Sequence, residues 1–349
     1  MAIIAKQRPG VYSDYQASGI LYSKKTSKTI GIVAKSSILA SNTMYTLGRL
    51  SDVEATFGTD GMMYTLCKVA FENGANSICA ISAGDSDENY AAAFALLEGI
   101  DGISVVLCDS TEASVQQLLM QSIVAASQNK KERIGVIAAA QAQEELATWA
   151  STFNNERILL VAQNPVDSDG NILSGCALAA ALAAVISQYA DPSQSFNGVS
   201  LEGISKLNGT LSEEEVDAYI SSGIIPFEVL GGRVEIIRAV TSKTMSDGLA
   251  DTTFKELNTV LVIDEVIKAI RETLSSSISA AKNNVTTRSA ISSQVTIKLQ
   301  EFLDANIIDA YAPPSVYQAS DDATICVVEV DFTVAQGINQ IHITANINV

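Results

Sequence analysis

The sequence predicts an α/β first domain with a mostly parallel sheet covered by helices, followed by an α+β domain. Short apolar runs alternate with helical patterns over residues 26–195. That rhythm stops after an alanine-rich helix, and residues 196–334 hold longer helices and fewer strands. The chain has 349 residues, of which 47% are hydrophobic and 17% charged, so it can bury a large core in two domains.

The strands of the first domain are compact and apolar on both faces. Runs of this kind are typical of parallel strands with helices on either side, since neither face of the sheet meets water. In chain order they are KTIGIVAKSS, NSICAISAG, ISVVLCD, RIGVIAA and RILLVAQN.

Helical patterns separate these strands. The first has Ser51 as its expected N-cap and Gly58 as its stop, and the second ends at Asn73-Gly74. The last covers Leu173–Tyr189, and its apolar run is shorter than the ~20 residues that span a bilayer, which favours a buried helix. The others are DENYAAAFALLEGI, EASVQQLLMQSIVAASQNK and QEELATWASTF.

The second domain opens with a helix whose start is clearly marked. Ser212 is its expected N-cap, and the glutamates that follow complement the helix dipole. A hairpin is expected to turn at Gly231-Gly232. Two helices follow, at Leu257–Ala281 and at about Ile291–Asn306.

The end of the chain carries the clearest strand pattern. Between Cys326 and Val334 every second residue is apolar, and the final segment places five apolar residues on one face: Ile341, Ile343, Ala345, Ile347 and Val349. The break at Ala335–Gly337 is either a hairpin turn within one fold or a hinge that lets the last strand complete a neighbour's sheet. Because an edge strand without Lys or Pro invites aggregation in a monomer, the pattern favours a joint between subunits.

Charge and cysteine usage narrow the possible partners. The net charge of −17 and the pI of about 4.4 argue against nucleic acid and anionic membranes as partners. The N-terminus has no apolar run of signal-peptide length. Five scattered cysteines without metal-ligand spacing indicate reduced thiols: Cys67, Cys79, Cys108, Cys176 and Cys326.

No group of residues forms a convincing catalytic, cofactor or metal site. The single histidine, His342, lies on the polar face of the last strand, which favours a surface position over a ligand or base. Lys35 follows a strand but lacks the glycines of a phosphate loop. Asp167, Asp169 and Gly170 resemble a calcium loop without its distal glutamate, so a solvent-exposed turn is expected. We therefore predict no enzyme and no cofactor.

Several stretches resemble the tail sheath proteins of contractile phages and related contractile injection particles. RPGVYSDYQASG is similar to the opening arm of that family, and YTLGRLSDVEATFG to the segment before its first core helix. LCKVAFENGANSICAIS resembles its helix–strand unit, GIIPFEVLGGRVEIIRAVTS its late hairpin, and FTVAQGINQIHITANI its last strand.

The resemblance implies a structural polymer. Subunits would stack as hexameric rings around an inner tail tube protein, with baseplate and terminator proteins at the ends, and would contract to drive the tube through an envelope. It implies no nucleic-acid partner, no membrane insertion and no cofactor. The particle would be a virion tail or tail-like particle assembled in the bacterial host cytoplasm.

The resemblance also implies roles for both chain ends and for one helix. Residues 1–25 and 335–349 would be linking arms that add strands to neighbouring subunits. The arm residues are Val11, Tyr12, Ile20, Leu21 and Tyr22 at one end and Ile341, Ile343, Ala345, Ile347 and Val349 at the other. The family's tube-contacting helix would correspond to Lys268, Arg271, Lys282 and Arg288.

Two alternatives remain open from the residues alone. A doubly wound enzyme or small-molecule binding protein would hold its ligand at the carboxyl ends of the strands. A surface-layer or other lattice protein would share the subunit joints but lack a tube.

Overall fold

A computed structural model describes residues 28–275, 282–337 and 339. In the described part of the chain the helices are α1 (Leu50–Phe57), α2 (Met62–Glu72), α3 (Tyr90–Glu98), α4 (Ala113–Gln128), α5 (Leu146–Ser151), α6 (Gly175–Gln188), α7 (Glu213–Ser221), α8 (Leu257–Ser275) and α9 (Val285–Asp304).

The strands in the same ranges are β1 (Thr29–Ala34), β2 (Thr43–Leu47), β3 (Ile78–Ser82), β4 (Ile103–Cys108), β5 (Ile134–Ala138), β6 (Ile158–Val161), β7 (Pro165–Val166), β8 (Ser200–Leu201), β9 (Lys206–Leu207), β10 (Ile224–Ile225), β11 (Phe227–Leu230), β12 (Arg233–Ile236), β13 (Met245–Ser246), β14 (Leu249–Ala250), β15 (Ile308–Tyr311), β16 (Ser315–Gln318), β17 (Cys326–Glu329) and β18 (Phe332–Val334).

A seven-stranded sheet organises the first two thirds of the chain. Its order is β10-β6-β5-β4-β1-β3-β2, and every pairing is parallel except that of the edge strand β2 with β3. The five predicted strands are all present. The sequence analysis did not predict β2, whose residues TMYTL are only partly buried because one face of an edge strand meets solvent.

Helices cover both faces of this sheet, as predicted. Alternate residues of each strand point to opposite faces: Ile30 and Ile32 join one hydrophobic cluster with α1, α2 and α6, whereas Val33 joins a second with α3, α4 and α5. The alanine-rich helix α6 is buried along nearly its whole length, because small side chains let it approach the strands closely. The α/β fold class is confirmed.

Some helix boundaries differ from the predicted ones. α1 begins at Leu50 with Arg49 as N-cap and no capping side chain, so Ser51 lies inside the helix and is not its N-cap. α9 begins at Val285, about two turns before the predicted start. Its first turns are polar, so apolar periodicity missed them, and the Asn284 side chain caps them by accepting from the Thr287 amide.

Residues 196–256 pack with the sheet although the sequence analysis grouped them with the second domain. β10 extends the sheet beside β6, and residues of β8, β11 and β12 join the first hydrophobic cluster. All described residues of a third hydrophobic cluster lie at or after Val262. We propose that the boundary lies near Leu257, and we call residues 28–256 the body and the described residues 257–337 the C-terminal unit.

The predicted arms lie largely outside the described residues. This applies to Val11, Tyr12, Ile20, Leu21 and Tyr22, and to Ile341, Ile343, Ala345, Ile347 and Val349, as well as to His342. Within the ranges described above, no helix has the length and apolar character needed to cross a membrane.

Candidate functional site

The C-terminal unit carries a bent antiparallel ribbon of four short strands. β15 pairs with β18, and β16 pairs with β17, so the chain runs out along two strands and returns along two. Pro313 and Pro314 lack the N–H groups that would continue the ladder between β15 and β16. The Ala312 amide donates to the Asp331 carbonyl at 2.9 Å and keeps the halves together at the bend.

One face of the ribbon packs on α8 and α9. The cluster beneath it contains Val262, Val266 and Ile270 of α8 with Val295, Leu299 and Phe302 of α9. Val328, Val330, Phe332 and Val334 pack against that cluster, whereas Glu329, Asp331 and Thr333 are exposed. The predicted alternation of faces is confirmed, although the strand is split into β17 and β18.

The long edges of the ribbon are open. Within the described residues each of its four strands pairs with one other strand only, so the outer edge of each strand has no strand partner there. An isolated two-stranded sheet is marginally stable in water, and added strands both satisfy its backbone groups and cover its apolar surface.

A groove of about 630 Å³ runs between α9 and the ribbon. Val285, which is 71% exposed, and Arg288 line its helix side, while Val316 and Tyr317 of β16 line its strand side. Three serines of α9 and Gln318 also line it, so the groove is mostly polar with a few apolar side chains.

Two of the four residues predicted to contact a tube already have partners. Arg271 donates through Nη2 to Glu132 Oε1 at 2.7 Å, which ties it to the body. Arg288 donates to Asn283 Oδ1 at 2.9 Å and lines the groove. Lys268 and Lys282 are exposed.

The last described residues, 335–337 and 339, lie against the rest of the molecule. The Ala335 amide donates to the Ile307 carbonyl at 3.4 Å, and Asn339 Oδ1 accepts from Asn197 Nδ2 at 2.9 Å. The stretch that the sequence offered as a hairpin turn or a hinge therefore begins beside the ribbon and reaches the body.

A second cleft of about 350 Å³ lies at the carboxyl ends of β1 and β4, where an α/β enzyme would bind its ligand. Asp60, Asp85 and Asp109 line it together with Lys35. Asp109 accepts hydrogen bonds from the Tyr90 hydroxyl and from the Lys35 amide, and burial raises the pKa of its carboxyl. Asp109 is thus engaged by groups of the protein itself, and the Lys35 ammonium is paired with Asp87.

Neither the buried thiols nor the described carboxylates offer a thiol or metal site. Burial raises the pKa of Cys67 to about 12 and that of Cys176 to about 11, so both thiols stay protonated at neutral pH. In the ranges that the structure describes, no group of three or more His, Cys, Asp or Glu side chains could hold a metal ion.

Sequence reasoning missed β15 and β16, which form half of the ribbon. Each has only four residues, and the double proline between them hides the continuity of the pattern. The alternation in SVYQ is a weak signal that becomes meaningful only when β17 is placed beside it.

Two family models match the chain. The model for the phage tail sheath protein central domain matches residues 83–242, and the model for the phage tail sheath C-terminal domain matches residues 250–348. Together they cover most of the chain, and the interval between them lies close to the boundary near Leu257. A search of curated proteins found no match.

Solved structures share the fold at low identity. The contracted helical sheath of the anti-feeding prophage is 14% identical with a TM-score of 0.75, covering 99% of this chain and 100% of that one. The contracted PVC sheath of an extracellular contractile injection system is 12% identical with a TM-score of 0.74, covering 99% of each chain. The sheath tail protein of Desulfitobacterium hafniense is 11% identical with a TM-score of 0.72, covering 93% and 100%.

Proposed function

Because the chain belongs to the phage tail sheath protein family, whose members are structural sheath subunits, we propose how this subunit assembles and works. It polymerises as helically stacked hexameric rings around an inner tube, and contraction of the polymer drives the tube through a target envelope. The observation that carries the assembly step is the ribbon of the C-terminal unit, whose outer edges have no strand partner among the described residues.

Strand addition by the two arms would complete these edges. Residues 1–25 of one neighbour and 335–349 of another supply extended segments, and their backbone groups bond to the free edges of the ribbon. The apolar face of the last segment, with Ile341, Ile343 and Ile347, would meet Val285 and Val316, two of the few apolar side chains of the groove beside β16. Main-chain pairing tolerates movement between subunit bodies, so the links persist during contraction.

Truncation tests this assembly directly. We expect deletion of Ile338–Val349, or of Met1–Gly19, to leave a folded chain that no longer forms tubes in negative-stain images. Far-ultraviolet circular dichroism and the thermal midpoint would verify folding. Tubes formed by either truncated chain would contradict the arm proposal.

Two point variants test whether the final segment acts as a strand with one apolar face, and not only through its length. Ile343→Asp places a charge on the apolar face of the final segment, whereas His342→Asp places it on the polar face. A charge buried without a partner is costly, so we expect only Ile343→Asp to reduce tube formation strongly. Equal behaviour of the two variants would argue against a two-faced strand.

We also propose that Lys268, Lys282 and Arg288 meet the inner tube. Lys268 and Lys282 are exposed cations on a chain of net charge −17, and an acidic tube surface would attract them. Arg271 contributes less, since it is already paired with Glu132. Lys268→Glu with Lys282→Glu should weaken co-sedimentation of the sheath protein with the inner tube, while sheath polymers still form. Unchanged co-sedimentation would contradict the contact.

Contraction would draw its free energy from new lateral contacts between bodies. We propose baseplate and terminator proteins at the two ends of the polymer, and a tail or tail-like particle assembled in the host cytoplasm as the setting. Purified particles should therefore shorten without added nucleotide, and a strict nucleotide requirement would overturn this view.

A further inference from the structure

Helix α8 presents different chemistry to its two neighbours. Val262, Val266 and Ile270 lie four residues apart and pack in the third hydrophobic cluster with α9. Asp264 and Arg271 lie seven residues apart, close to two full turns, and point about 150° away from that apolar stripe. One side of the helix therefore holds the C-terminal unit together, and the other side faces the body.

Two ion pairs join that charged side to the body. Arg157 donates through both terminal nitrogens to the two Asp264 carboxylate oxygens, each at 2.6 Å. Arg271 donates to both carboxylate oxygens of Glu132, at 2.7 and 3.3 Å. Paired hydrogen bonds of this kind fix orientation as well as distance.

The sheet places the body's partners beside one another. Glu132 lies two residues before β5 and Arg157 one residue before β6, and these strands are parallel neighbours. Both side chains therefore stand at the amino edge of the sheet. Lys28, just before β1, is a third charge on this edge, and it lies within electrostatic range of both Glu265, which attracts it, and Lys268, which repels it, on α8.

Apolar contact between α8 and the body is confined to the start of the helix. Leu257 and Val260 belong to the first hydrophobic cluster, and the partly buried Leu261 packs against it. From Val262 onward the buried apolar residues belong to the third cluster, which contains only residues of the C-terminal unit among those described. Past its first turn, α8 thus meets the body through charged side chains.

The buried pair contributes more to orientation than to stability. The Asp264 and Arg157 side chains are 18% and 16% exposed, and burial raises the pKa of Asp264 even beside Arg157. Loss of hydration therefore offsets much of the attraction, as in many buried ion pairs, whereas removing one partner leaves a costly unpaired charge. Such contacts select one arrangement without adding much net stabilisation.

We propose that Glu132, Arg157, Asp264 and Arg271 form an electrostatic latch that sets the angle between the C-terminal unit and the body. When the latch opens, the C-terminal unit pivots about the first turn of α8, while the hydrophobic clusters of the body and of the C-terminal unit stay intact. The latch goes beyond the sheath role and does not depend on polymerisation, because it acts within one chain.

A distance measurement between two spin labels tests the latch. Ser114→Cys on α4 and Ile297→Cys on α9 place labels at exposed helical positions of the body and the C-terminal unit. Cys326, which is only half-buried, is replaced by Ser, and the other four cysteines are buried. Dilution with unlabelled chain confines the measured distances to one molecule.

We expect one narrow distance distribution at low salt. In Arg157→Gln with Arg271→Gln it should broaden or shift by several ångströms, whereas about 1 M NaCl should have a smaller effect, because salt screens buried ion pairs much less than exposed ones. Reversal of all four charges, by Glu132→Arg, Arg157→Asp, Asp264→Arg and Arg271→Glu, should restore a narrow distribution.

The control breaks an ion pair at the opposite edge of the sheet. Lys35→Gln, just past the carboxyl end of β1, removes the partner of Asp87, and we expect it to leave the distance distribution unchanged. If the paired variant does not fold, the single variant Arg271→Gln, which breaks the more exposed of the two ion pairs, decides the question. A distribution that stays narrow and unshifted in whichever of the two variants folds would overturn the latch.

Discussion

Gly223 shows how strongly one backbone position can be constrained. Its φ of +76° lies in the left-handed region, and an added Cβ would lie 2.8 Å from both the Ser242 Cα and the Thr241 carbonyl oxygen. Backbone atoms cannot move aside as a flexible side chain can. The glycine therefore lets the end of α7 pass close to the segment that leads to α8.

Substitution of this glycine gives a sharp test with a matched control. Gly248 has a similar φ of +79°, but its added Cβ would meet nothing within 4 Å. We expect Gly248→Ala to cost about 1 kcal/mol from left-handed strain alone, and Gly223→Ala about 3 kcal/mol or more. Urea unfolding would measure the free energy of unfolding of both variants. Equal losses would mean that the backbone around residue 223 shifts to make room for the added Cβ, contrary to our expectation.

Asp109 predicts a pH dependence with a definite sign. Burial raises the pKa of its carboxyl, so the folded chain binds this proton more tightly than the unfolded chain does. The resulting stability is present at acid pH and is lost as the pH rises through the raised pKa. Asp109→Asn should therefore gain stability relative to the wild type as the pH rises from about 4, near the ordinary pKa of an aspartate.

Thermal midpoints across that pH range would measure the difference. Asp101→Asn is the control, because Asp101 is a surface carboxylate paired with Lys131 and its loss also removes one charge. A difference between Asp109→Asn and wild type that falls with rising pH would contradict the interpretation.

At the level of elements, the C-terminal unit depends on a small core of its own. Phe302 of α9 is 3% exposed within the third hydrophobic cluster, whereas Ile297 of the same helix is 61% exposed. Among the described residues the ribbon packs on this cluster, so the loss of one large side chain should reach the strands of the ribbon.

We expect Phe302→Ala to cost about 3–5 kcal/mol and Ile297→Ala less than about 0.5 kcal/mol. Amide hydrogen exchange would show which part of the molecule loses stability. Amides of α9 and the ribbon should exchange faster in Phe302→Ala while those of β1, β4 and β5 keep their protection. Uniform loss of protection would mean that body and C-terminal unit unfold as one.

At the level of the whole molecule, net charge opposes assembly. Each copy carries −17, so copies repel one another at low ionic strength. Dissolved salt screens these charges and therefore lowers the repulsion between copies.

Tube formation should therefore increase between about 10 mM and about 300 mM NaCl, as followed by light scattering and negative-stain imaging. Sucrose at matched osmolality serves as the control for effects that are not electrostatic. Tubes that dissolve in the same range of salt would mean that ion pairs between copies outweigh the general repulsion.

The sequence by itself determined the parallel sheet, its covering helices and several of their ends. Apolar runs such as ILLV, and local signals such as Ser212 with Glu215, or Gly231-Gly232 in a hairpin, act over a few residues and can be read directly. The apolar face of β17 and β18 was readable for the same reason, because period-two alternation needs no distant partner.

Only the tertiary structure decided how the two parts of the chain meet. Asp264 and Arg157 are far apart in sequence, and nothing local marks either as a partner of the other. The same holds for β10 beside β6 and for the ribbon beside α9, since strand pairing and ion pairing join residues that the fold alone brings together. Local periodicity determined the helices and strands. Their arrangement was determined by burial of their apolar faces and by the ion pairs between α8 and the body.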